Sequence, residues 1–369
     1  MAAALTMQNE LPSAQKPRDA ARGDHEKARK ASGDSTDGAT TAMTKDNEGA
    51  PNIRNVVLGD LLFRTWYPSF YPDDLVGRDL ERLYVCRWCF KYSRELIPFL
   101  RHLKACDMKH TPPSDTLVYA KENYSLYMVD GQRHKLFTQN LSLFAKLFLD
   151  NKSVFYDVSG FLYYLLVQTD PVTAQRQVVG FFSKEKMSWD NNNLACILIF
   201  PPWQRRGLGQ MLMGVSYELS RREKRIGGPE KPLSDLGRRA YLSFWSATIA
   251  RLILSASPSS PQPKGKVAAS EPAFSVKDIS DITYILIDDI IATLKEMKLL
   301  GREKRVDGSI VISKESVRQW ANRNRIDLRN PVDPEAFLEK PPPEGEEDDE
   351  EGEGNEDDEE MEDEEDDES

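Results

Sequence analysis

The chain has 369 residues, of which 40% are apolar and 30% charged, and its formal net charge is −11 at pH 7. This length accommodates about two domains. No apolar run is long enough to cross a membrane, no signal peptide is recognisable, and four cysteines are too few for a disulfide scaffold, so we expect none of these protein classes.

Charge is distributed unevenly along the chain. Residues 1–50 contain almost no bulky apolar side chains, and we expect them to form a disordered arm. Residues 344–369 contain 20 acids and no Lys or Arg, which predicts a disordered acidic tail over 331–369. Without those 20 acids the chain has 40 acidic and 49 basic residues, a balance of +9. A basic body with a tethered polyanion is typical of proteins that meet nucleosomes, although the alternative is a tail that only increases solubility.

Three cysteines and one histidine in the predicted N-terminal segment, residues 51–112, have the spacing of zinc ligands, C-x2-C-x12-H-x3-C. They are Cys86, Cys89, His102 and Cys106. A gap of two residues lets both thiolates reach one ion from a tight turn, and a His and a Cys four residues apart lie on one helical face. Four protein ligands complete a tetrahedron and leave no position for a catalytic water, so the pattern predicts a structural zinc ion.

The helix of this finger is predicted to carry an apolar stripe made of Leu96, Phe99, Leu100 and Leu103. Tyr84 and Phe90 suit a small hairpin before the helix. An alternative is a DNA-reading finger, whose phosphate contacts would come from Arg94, Arg101 and Lys104.

The segment after the finger, residues 113–250, alternates strand-like and helix-like patterns, which indicates a mixed α+β fold around one sheet. β-Branched and aromatic residues predict strands over 116–120, 124–129, 154–158, 162–168 and 178–184. Apolar residues at helical spacing predict a helix over 140–149.

The most apolar predicted strand, residues 194–200, ends at Pro201-Pro202 and is followed by the turn 204–210 and a helix. A strand, a glycine-containing turn and a helix N-terminus together direct unpaired backbone N–H groups at one point, which is suited to a pyrophosphate. Gly207 and Gly209 let the backbone approach an anion without a Cβ atom in the way. The turn is neither a Walker loop nor a dinucleotide fingerprint.

The turn Q-R-R-G-L-G-Q matches the Q/R-x-x-G-x-G/A motif with which GNAT and MYST acetyltransferases hold the pyrophosphate of coenzyme A. The stretch NLACILIFPPWQRRGLGQMLMGVSYELSRREKRIGGPEKPLSDLG resembles the MYST catalytic core almost without a gap, and FSKEK, LFLDNKSVFYDV and YLSFW match as well. The resemblance covers residues 51–330 and implies a GNAT-like core bound to acetyl-CoA. Since residues 1–50 cannot fold a reader module, the chain is most like the small fungal silencing-type branch.

The resemblance implies two catalytic positions. Glu230, in Gly-Pro-Glu-Lys-Pro, corresponds to the general base, which frees a lysine amine for attack on a thioester. Cys196 corresponds to the active-site cysteine, which either forms an acetyl-thioester or only shapes the pocket during direct transfer; we favour direct transfer. Lys152 matches a lysine that MYST enzymes autoacetylate, and the alternative is an ordinary surface lysine.

The resemblance also implies the coenzyme A contacts. The backbone of Ile197, Leu198 and Ile199 is expected along the acetyl and pantetheine arm, with one N–H as oxyanion donor. The phosphates are expected at Gln204, Arg205, Arg206, Gly207, Leu208, Gly209 and Gln210, and further contacts at Ser234 and Ser243. Many family members have aromatic and basic residues at the positions of Leu208 and Gln210, so the backbone must supply most of the phosphate contacts.

The C-terminal third is divided by a Pro/Ser-rich insertion, residues 251–275, which we expect to be flexible. Residues 276–330 are predicted to be winged-helix-like. Helical spacing extends over 281–300, a β-wing is predicted at 308–313, and a helix at 314–324. Packing of this segment against the core is favoured over DNA contact.

The sequence therefore predicts a nuclear histone lysine acetyltransferase that uses acetyl-CoA, carries structural zinc, acts on histone tails such as that of histone H-four, and works with accessory subunits. Weak DNA contact is also expected. The alternatives are a catalytically silent zinc-finger chromatin scaffold and a GNAT-like enzyme for small amines.

Overall fold

The computed structural model describes residues 51–113, 115–255, 274–299 and 312–338. The predicted N-terminal arm, most of the Pro/Ser-rich insertion, the first part of the predicted wing and residues 339–369 of the predicted acidic tail lie outside these ranges. Residues 331–338, predicted to begin the disordered tail, instead pack on the core, where Val332 and Phe337 are buried. Within them, no helix has the length and apolar character needed to span a membrane.

The N-terminal part is a small sheet with strand order β2-β1-β3-β4. Its elements are β1 (Ile53–Leu58), β2 (Leu61–Arg64), α1 (Asp73–Val76), β3 (Leu80–Val85), β4 (Tyr92–Ser93) and α2 (Leu96–Ala105). Strands β3 and β4 form the predicted hairpin, with Tyr84 opposite Ser93. Two zinc-ligand cysteines lie in the connection between these strands.

The predicted apolar stripe on the finger helix is buried at only one position. Phe99 is buried and packs on Tyr84, with ring centroids 5.4 Å apart, whereas Leu96 and Leu100 are 46% and 43% exposed. Leu103 is half-buried. The helix packs on the narrow β3–β4 hairpin, and among these four residues only Phe99 is fully covered there.

The central sheet is entirely antiparallel and has the strand order β10-β8-β7-β6-β5. Its strands are β5 (Thr116–Lys121), β6 (Tyr124–Asp130), β7 (Phe161–Thr169), β8 (Arg176–Glu185) and β10 (Ile197–Ile199). The middle of β7 and of β8 is buried without alternation, as expected for strands covered on both faces. The α+β class is confirmed.

Helices surround this sheet. They are α3 (Lys135–Lys146), α4 (Leu208–Arg222), α5 (Asp235–Ser255), α6 (Val276–Thr283), α7 (Ile287–Glu296) and α8 (Lys314–Arg323), with 3₁₀ turns at Pro201–Trp203 and Pro334–Ala336. The helix predicted over 140–149 begins five residues earlier, at Lys135, and ends at Lys146. The helical pattern predicted over 281–300 is divided, because Tyr284 takes a left-handed conformation (φ 61°) and ends α6.

Residues 154–158 were predicted to be a strand and instead form an irregular segment after α3. Their polar backbone groups have other partners. The Gln139 side chain donates to the Tyr156 carbonyl at 2.8 Å, and the Val158 carbonyl accepts from Phe161 N–H in a turn. Since those backbone groups are already paired, β-branched and aromatic composition alone does not produce a strand here.

The zinc finger is continuous with the central core through Phe90. This residue follows Cys89, is fully buried, and its ring packs on Phe144 and Phe200 at centroid distances of 5.4 and 5.8 Å. Phe144 belongs to α3, and Phe200 follows β10. The finger and the central sheet therefore share one hydrophobic core.

Candidate active site

The chain around Cys196 is bent by a bulge. The strand predicted over 194–200 is divided into β9 (Asn192–Leu194) and β10, with Ala195 and Cys196 between them. Ser183 of β8 faces both residues, since its carbonyl accepts from Ala195 N–H at 2.7 Å and its N–H donates to the Cys196 carbonyl at 2.8 Å. Two residues opposite one interrupt the ladder and re-aim the extra side chain. The prediction of one continuous strand was therefore wrong.

Cys196 is half-buried and lies beside a buried amine. The Cys196 N–H donates to Ser183 Oγ at 3.3 Å, and the Nζ of Lys152 lies 3.8 Å from Cys196 Sγ. Lys152 is only 5% exposed, although its neighbours Asn151 and Ser153 are exposed. A buried ammonium is unusual, so the alternative of an ordinary surface lysine does not describe this position.

Glu230 reaches the same neighbourhood through a short strand. The two-residue strand β11 (Gly228–Pro229) pairs in parallel with β9, and Glu230 N–H donates to the Leu194 carbonyl at 2.9 Å. Because Leu194 immediately precedes the bulge at Ala195 and Cys196, one backbone segment positions both predicted catalytic residues. The Glu230 side chain itself is exposed.

The surroundings of Glu230 raise the pKa of its carboxyl above the ordinary value. Partial burial is the main cause and the nearby charge of Glu185 is the second, while the Lys152 ammonium acts in the opposite direction. Each effect follows from whether a neighbour disfavours or favours the ionised form. A carboxylate with a raised pKa is a better proton acceptor near neutral pH.

The turn 204–210 leads into the N-terminus of α4. Arg205 and Gly207 have left-handed conformations, with φ of 61° and 79°, and Gly207 caps α4. The N–H groups of the first turn of α4 have no intrahelical acceptor, and the helix dipole makes this end positive. Cβ atoms added at Gly207 or Gly209 would meet nothing within 4 Å, so an anion has room to approach.

Most side chains of the turn 204–210 form hydrogen bonds with main-chain carbonyls or are buried in the core. Gln204 Nε2 donates to the Ile199 carbonyl at 2.8 Å, Arg206 donates to the Pro202 carbonyl at 3.1 Å, and Gln210 donates to the Ala240 carbonyl at 3.4 Å. Leu208 is buried in the core. These side chains shape the turn, and phosphate contacts at 204–210 would fall to the backbone and to the exposed Arg205 and Arg206.

Strand β10 lies at the edge of the central sheet and has one unpaired side. Ser183 N–H donates to the Cys196 carbonyl, and Phe200 N–H donates to the Val179 carbonyl. Since backbone groups alternate in direction along an antiparallel strand, Ile197 and Ile199 direct their N–H groups away from β8. This open edge runs from Cys196 to the turn 204–210.

Of the two serines predicted to contact the cofactor, Ser234 immediately precedes α5 and Ser243 lies within it. Ser234 Oγ accepts from Gly237 N–H at 3.1 Å and therefore caps the helix, whereas Ser243 is exposed within it. Capping leaves the Ser234 hydroxyl proton free to donate. The structure places Ser234 only four residues beyond Glu230.

The four predicted zinc ligands converge. Their ligand atoms all lie within 4.8 Å of one another, with Cys86 Sγ 3.8 Å from Cys106 Sγ and Cys89 Sγ 3.1 Å from His102 Nε2. Two thiolates on one tetrahedral zinc, each at about 2.3 Å, stand roughly 3.8 Å apart. The donor set fits a structural zinc ion, and the sulfur separation is far longer than a disulfide bond.

Sequence reasoning missed three residues of this site. Ser183 creates the bulge, Glu185 raises the Glu230 pKa, and Asp289 pairs with Lys231, the residue after Glu230. Ser183 and Glu185 lie in the FSKEK segment. That segment contributes to the family resemblance, but its sequence indicates no role for either residue. No local pattern pointed to Asp289.

Comparisons with known proteins match two families along the chain. The MYST family zinc finger domain matches residues 50–106, and the MOZ/SAS family matches residues 111–337. "Histone acetyltransferase MOF" of Drosophila melanogaster is 40% identical over 276 residues, which cover 74% of this chain and 31% of that protein. "Histone acetyltransferase of the MYST family 1" of Arabidopsis thaliana is 39% identical over 253 residues, covering 69% and 52%.

A third relative, "Histone acetyltransferase Tip60 homolog" of Caenorhabditis elegans, is 34% identical over 310 residues, covering 82% of this chain and 64% of that protein. The chain thus spans less than two thirds of the length of each of these relatives. A solved aminoglycoside acetyltransferase from an uncultured soil sample matches 40% of this chain at 12% identity with a TM-score of 0.24, which supports no conclusion.

Proposed function

Because the chain belongs to the MOZ/SAS family and carries the MYST family zinc finger, we propose that it is a lysine acetyltransferase that moves acetyl from acetyl-CoA to histone tails. The observation that carries this proposal is the convergence at one bulge. A carboxyl with a raised pKa, a half-buried thiol and an edge strand leading to an anion-binding turn all adjoin residues 194–200.

Glu230 acts as the general base in this mechanism. A free lysine ammonium has a pKa near 10.4, so at neutral pH it must lose a proton before the amine can attack. The Glu230 carboxylate accepts that proton directly or through one water. The amine nitrogen then bonds to the thioester carbonyl carbon, the carbon–sulfur bond breaks, and coenzyme A leaves as a thiolate that takes up a proton.

The edge of β10 and the turn 204–210 bind acetyl-CoA. The N–H groups of Ile197 and Ile199 face the open side of the sheet, where one can donate to the oxyanion that forms at the carbonyl carbon. The first-turn N–H groups of α4 receive the pyrophosphate. Ser234 and Ser243 add contacts from α5.

Cys196 shapes the acetyl pocket while the acetyl group passes directly to the substrate lysine. Its thiol adjoins the Lys152 ammonium at 3.8 Å. Autoacetylation of Lys152 would remove this buried positive charge and lower the cost of its burial. The zinc ion supplies no chemistry to the transfer and holds the finger folded.

The proposed substrate and cellular location rest on the charge distribution of the chain and on the family to which it belongs. The basic body, the acidic segment 344–369 and relatives named histone acetyltransferases support histone tails, including that of histone H-four, as substrates in the nucleus. The finger exposes Arg94 before its helix and Arg101 and Lys104 within it, and all three are available for weak DNA contact. Accessory subunits are expected to direct the enzyme to its substrate. Assignment to the silencing-type branch stays a prediction.

An acetyl-transfer assay with radiolabelled acetyl-CoA tests the proposal. Core histones and free polyamines are offered as acceptors to the zinc-loaded wild type and to Glu230→Gln, with and without candidate accessory subunits. We expect histones to be labelled by the wild type and labelling to fall by roughly a hundredfold or more in Glu230→Gln. Preference for polyamines would indicate a small-amine enzyme, and absence of labelling under every condition would indicate a scaffold.

A further inference from the structure

The residue that follows Glu230 is fixed to a helix by an ion pair. Lys231 Nζ lies 2.7 Å from Asp289 Oδ1, and the side chains of the two residues are 48% and 7% exposed, respectively. Asp289 lies in the first turn of α7, where the helix dipole favours a negative charge. The pair joins residues 58 positions apart.

Glu230 depends on its backbone for position. Among the described residues, its carboxylate forms no hydrogen bond or ion pair. The backbone is held on the N-terminal side by pairing of β11 with β9 and by the Glu230 N–H bond to the Leu194 carbonyl at 2.9 Å. On the C-terminal side, the Lys231–Asp289 ion pair is the nearest attachment.

The start of α7 packs directly behind the strand that precedes Glu230. A Cβ atom added to Gly228 would lie 2.9 Å from Leu286 Cδ1 and 3.1 Å from Asp289 Oδ2. Gly227 pairs with Ile285 in a parallel bridge. The helix therefore provides a fixed wall against which the segment carrying Glu230 is attached.

The buried Asp289 carboxylate contributes little net stability to the fold. Its Oδ2 atom is buried without a hydrogen-bond partner among the described residues, as are both polar atoms of Asn193 and the Tyr241 hydroxyl. Asn193 belongs to β9, which pairs with β11. One of these residues with unpaired polar atoms is therefore next to the segment that carries Glu230. Buried unpaired polar atoms cost stability, and an ion pair with one half-exposed partner offsets little of that cost. A role in stability alone explains this carboxylate poorly.

We infer that Asp289 is a positioning residue for Glu230, acting through Lys231. This inference rests on the proposed acetyltransferase function. The ion pair sets where the short segment after Pro229 leaves the sheet, and thereby sets where the Glu230 carboxylate meets the substrate amine. Since a base misplaced by about 1 Å can lose a factor of about 100 in rate, a modest loosening is enough to matter.

Four variants test the inference: Asp289→Asn, Lys231→Met, Lys231→Arg and the double variant Asp289→Asn with Lys231→Met. Lys121→Met is the matched control, because Lys121 also pairs with a carboxylate, Asp333, at 2.9 Å and its side chain is 46% exposed. That pair joins β5 to the C-terminal 3₁₀ turn and contacts none of the proposed site residues.

We expect kcat to fall on the order of tenfold to a hundredfold in Asp289→Asn and in Lys231→Met, with the KM for acetyl-CoA changed less than about threefold. Lys231→Arg keeps a cation and should retain most of kcat. The double variant should be no slower than the slower single variant, because both changes break one pair. The double variant removes both charges and should melt near the wild-type temperature, and Lys121→Met should keep kcat.

The inference is overturned by a wild-type kcat in Asp289→Asn, or by a loss of kcat that Lys121→Met shares or that parallels a loss of thermal stability. If Asp289→Asn does not fold, the Lys231 variants test the inference instead. The Lys231 side chain is half-exposed, so its replacement should not prevent folding. The proposed function fails separately, when the wild type itself transfers no acetyl. In that case amide hydrogen exchange still decides, because positioning requires the Glu230 N–H, bonded to the Leu194 carbonyl at 2.9 Å, to exchange faster in Lys231→Met and not in Lys121→Met.

Discussion

The ammonium of Lys152 and the thiol of Cys196 lie 3.8 Å apart, although 44 positions separate the two residues. Lys152 is buried at 5% exposure, and its charge also lowers the pKa of Glu230 against the stronger effects of burial and of Glu185. One buried amine thus contacts one predicted catalytic residue and tunes the other.

The pH dependence of acetyl transfer should respond oppositely to the two charged neighbours of Glu230. In Lys152→Gln a positive neighbour is lost, so the Glu230 pKa rises and the acidic limb of the kcat/KM profile moves to higher pH. In Glu185→Gln a negative neighbour is lost, so the pKa falls and the limb moves to lower pH. Steady-state rates across pH measure both shifts.

Glu122→Gln is the control for this pair, since Glu122 is an exposed acid at the turn between β5 and β6. It should leave the acidic limb in place. Movement of the limb in the same direction in Lys152→Gln and Glu185→Gln would show that Glu230 is not the titrating group.

Replacement of Cys196 separates direct transfer from an acetyl-cysteine intermediate. Since Cys196 is half-buried beside Ser183 and Lys152, Cys196→Ala removes little volume. With direct transfer, we expect kcat to fall by less than about tenfold, or ~1.4 kcal/mol in barrier. Rapid-quench kinetics with mass spectrometry provides the measurement. Labelled Cys196 that forms and decays at the turnover rate would contradict direct transfer.

The two glycines of the turn should behave differently when replaced by alanine. Gly207 has a φ of 79°, so Gly207→Ala should destabilise the protein by about 1–2 kcal/mol. Gly209 lies inside α4 without a positive φ, so Gly209→Ala should leave stability unchanged or raise it by about 0.5–1 kcal/mol.

Coenzyme A binding should nevertheless weaken in Gly209→Ala, because the new methyl group would occupy the open space where an anion approaches. We expect a rise in Kd on the order of tenfold, or ~1.4 kcal/mol. Calorimetry and thermal unfolding measured on the same preparation separate the two effects. Unchanged affinity in Gly209→Ala would place the phosphates away from this turn.

Loss of zinc should loosen the central core as well as the finger. Phe90, next to Cys89, packs on Phe144 and Phe200, so unfolding of the finger exposes part of the shared core. We expect Cys89→Ser to lose the metal and a large part of about 10 kcal/mol of metal-linked folding energy. Elemental analysis and thermal melting measure both quantities.

Cys196→Ser is the matched control for zinc binding, because Cys196 is not among the four converging ligands. It should keep about one equivalent of zinc and a melting temperature near that of the wild type. A Cys89→Ser protein that retains both the metal and the wild-type melting temperature would refute the assigned ligand set.

Some features of the site could be predicted from short stretches of sequence. The spacing of Cys86, Cys89, His102 and Cys106 is set within one turn and one helix, and the structure brings the four together. The turn 204–210 likewise follows its strand directly and opens α4 where expected. The local geometry of a few consecutive residues is enough in both cases.

The structure of other elements could not be predicted from the sequence pattern, because it depends on packing contacts from several sides. Helix α5 runs over 21 residues and buries apolar side chains around much of its circumference, so it shows no single apolar face. Residues 154–158 have strand-like composition, yet their backbone pairs with Gln139 and within a turn. Tertiary packing overrode propensity at both places.

The sequence by itself determined the zinc ligand set, the glycine-containing turn that begins α4 and, through resemblance, the family of the fold. Only the tertiary structure decided that Lys152 is buried beside Cys196, that Ser183 bends the strand there, and that Asp289 holds the segment after Glu230. The reason is physical. Ligand spacing and helix capping act along the chain, whereas desolvation, charge–charge interaction and packing act through space between residues far apart in sequence.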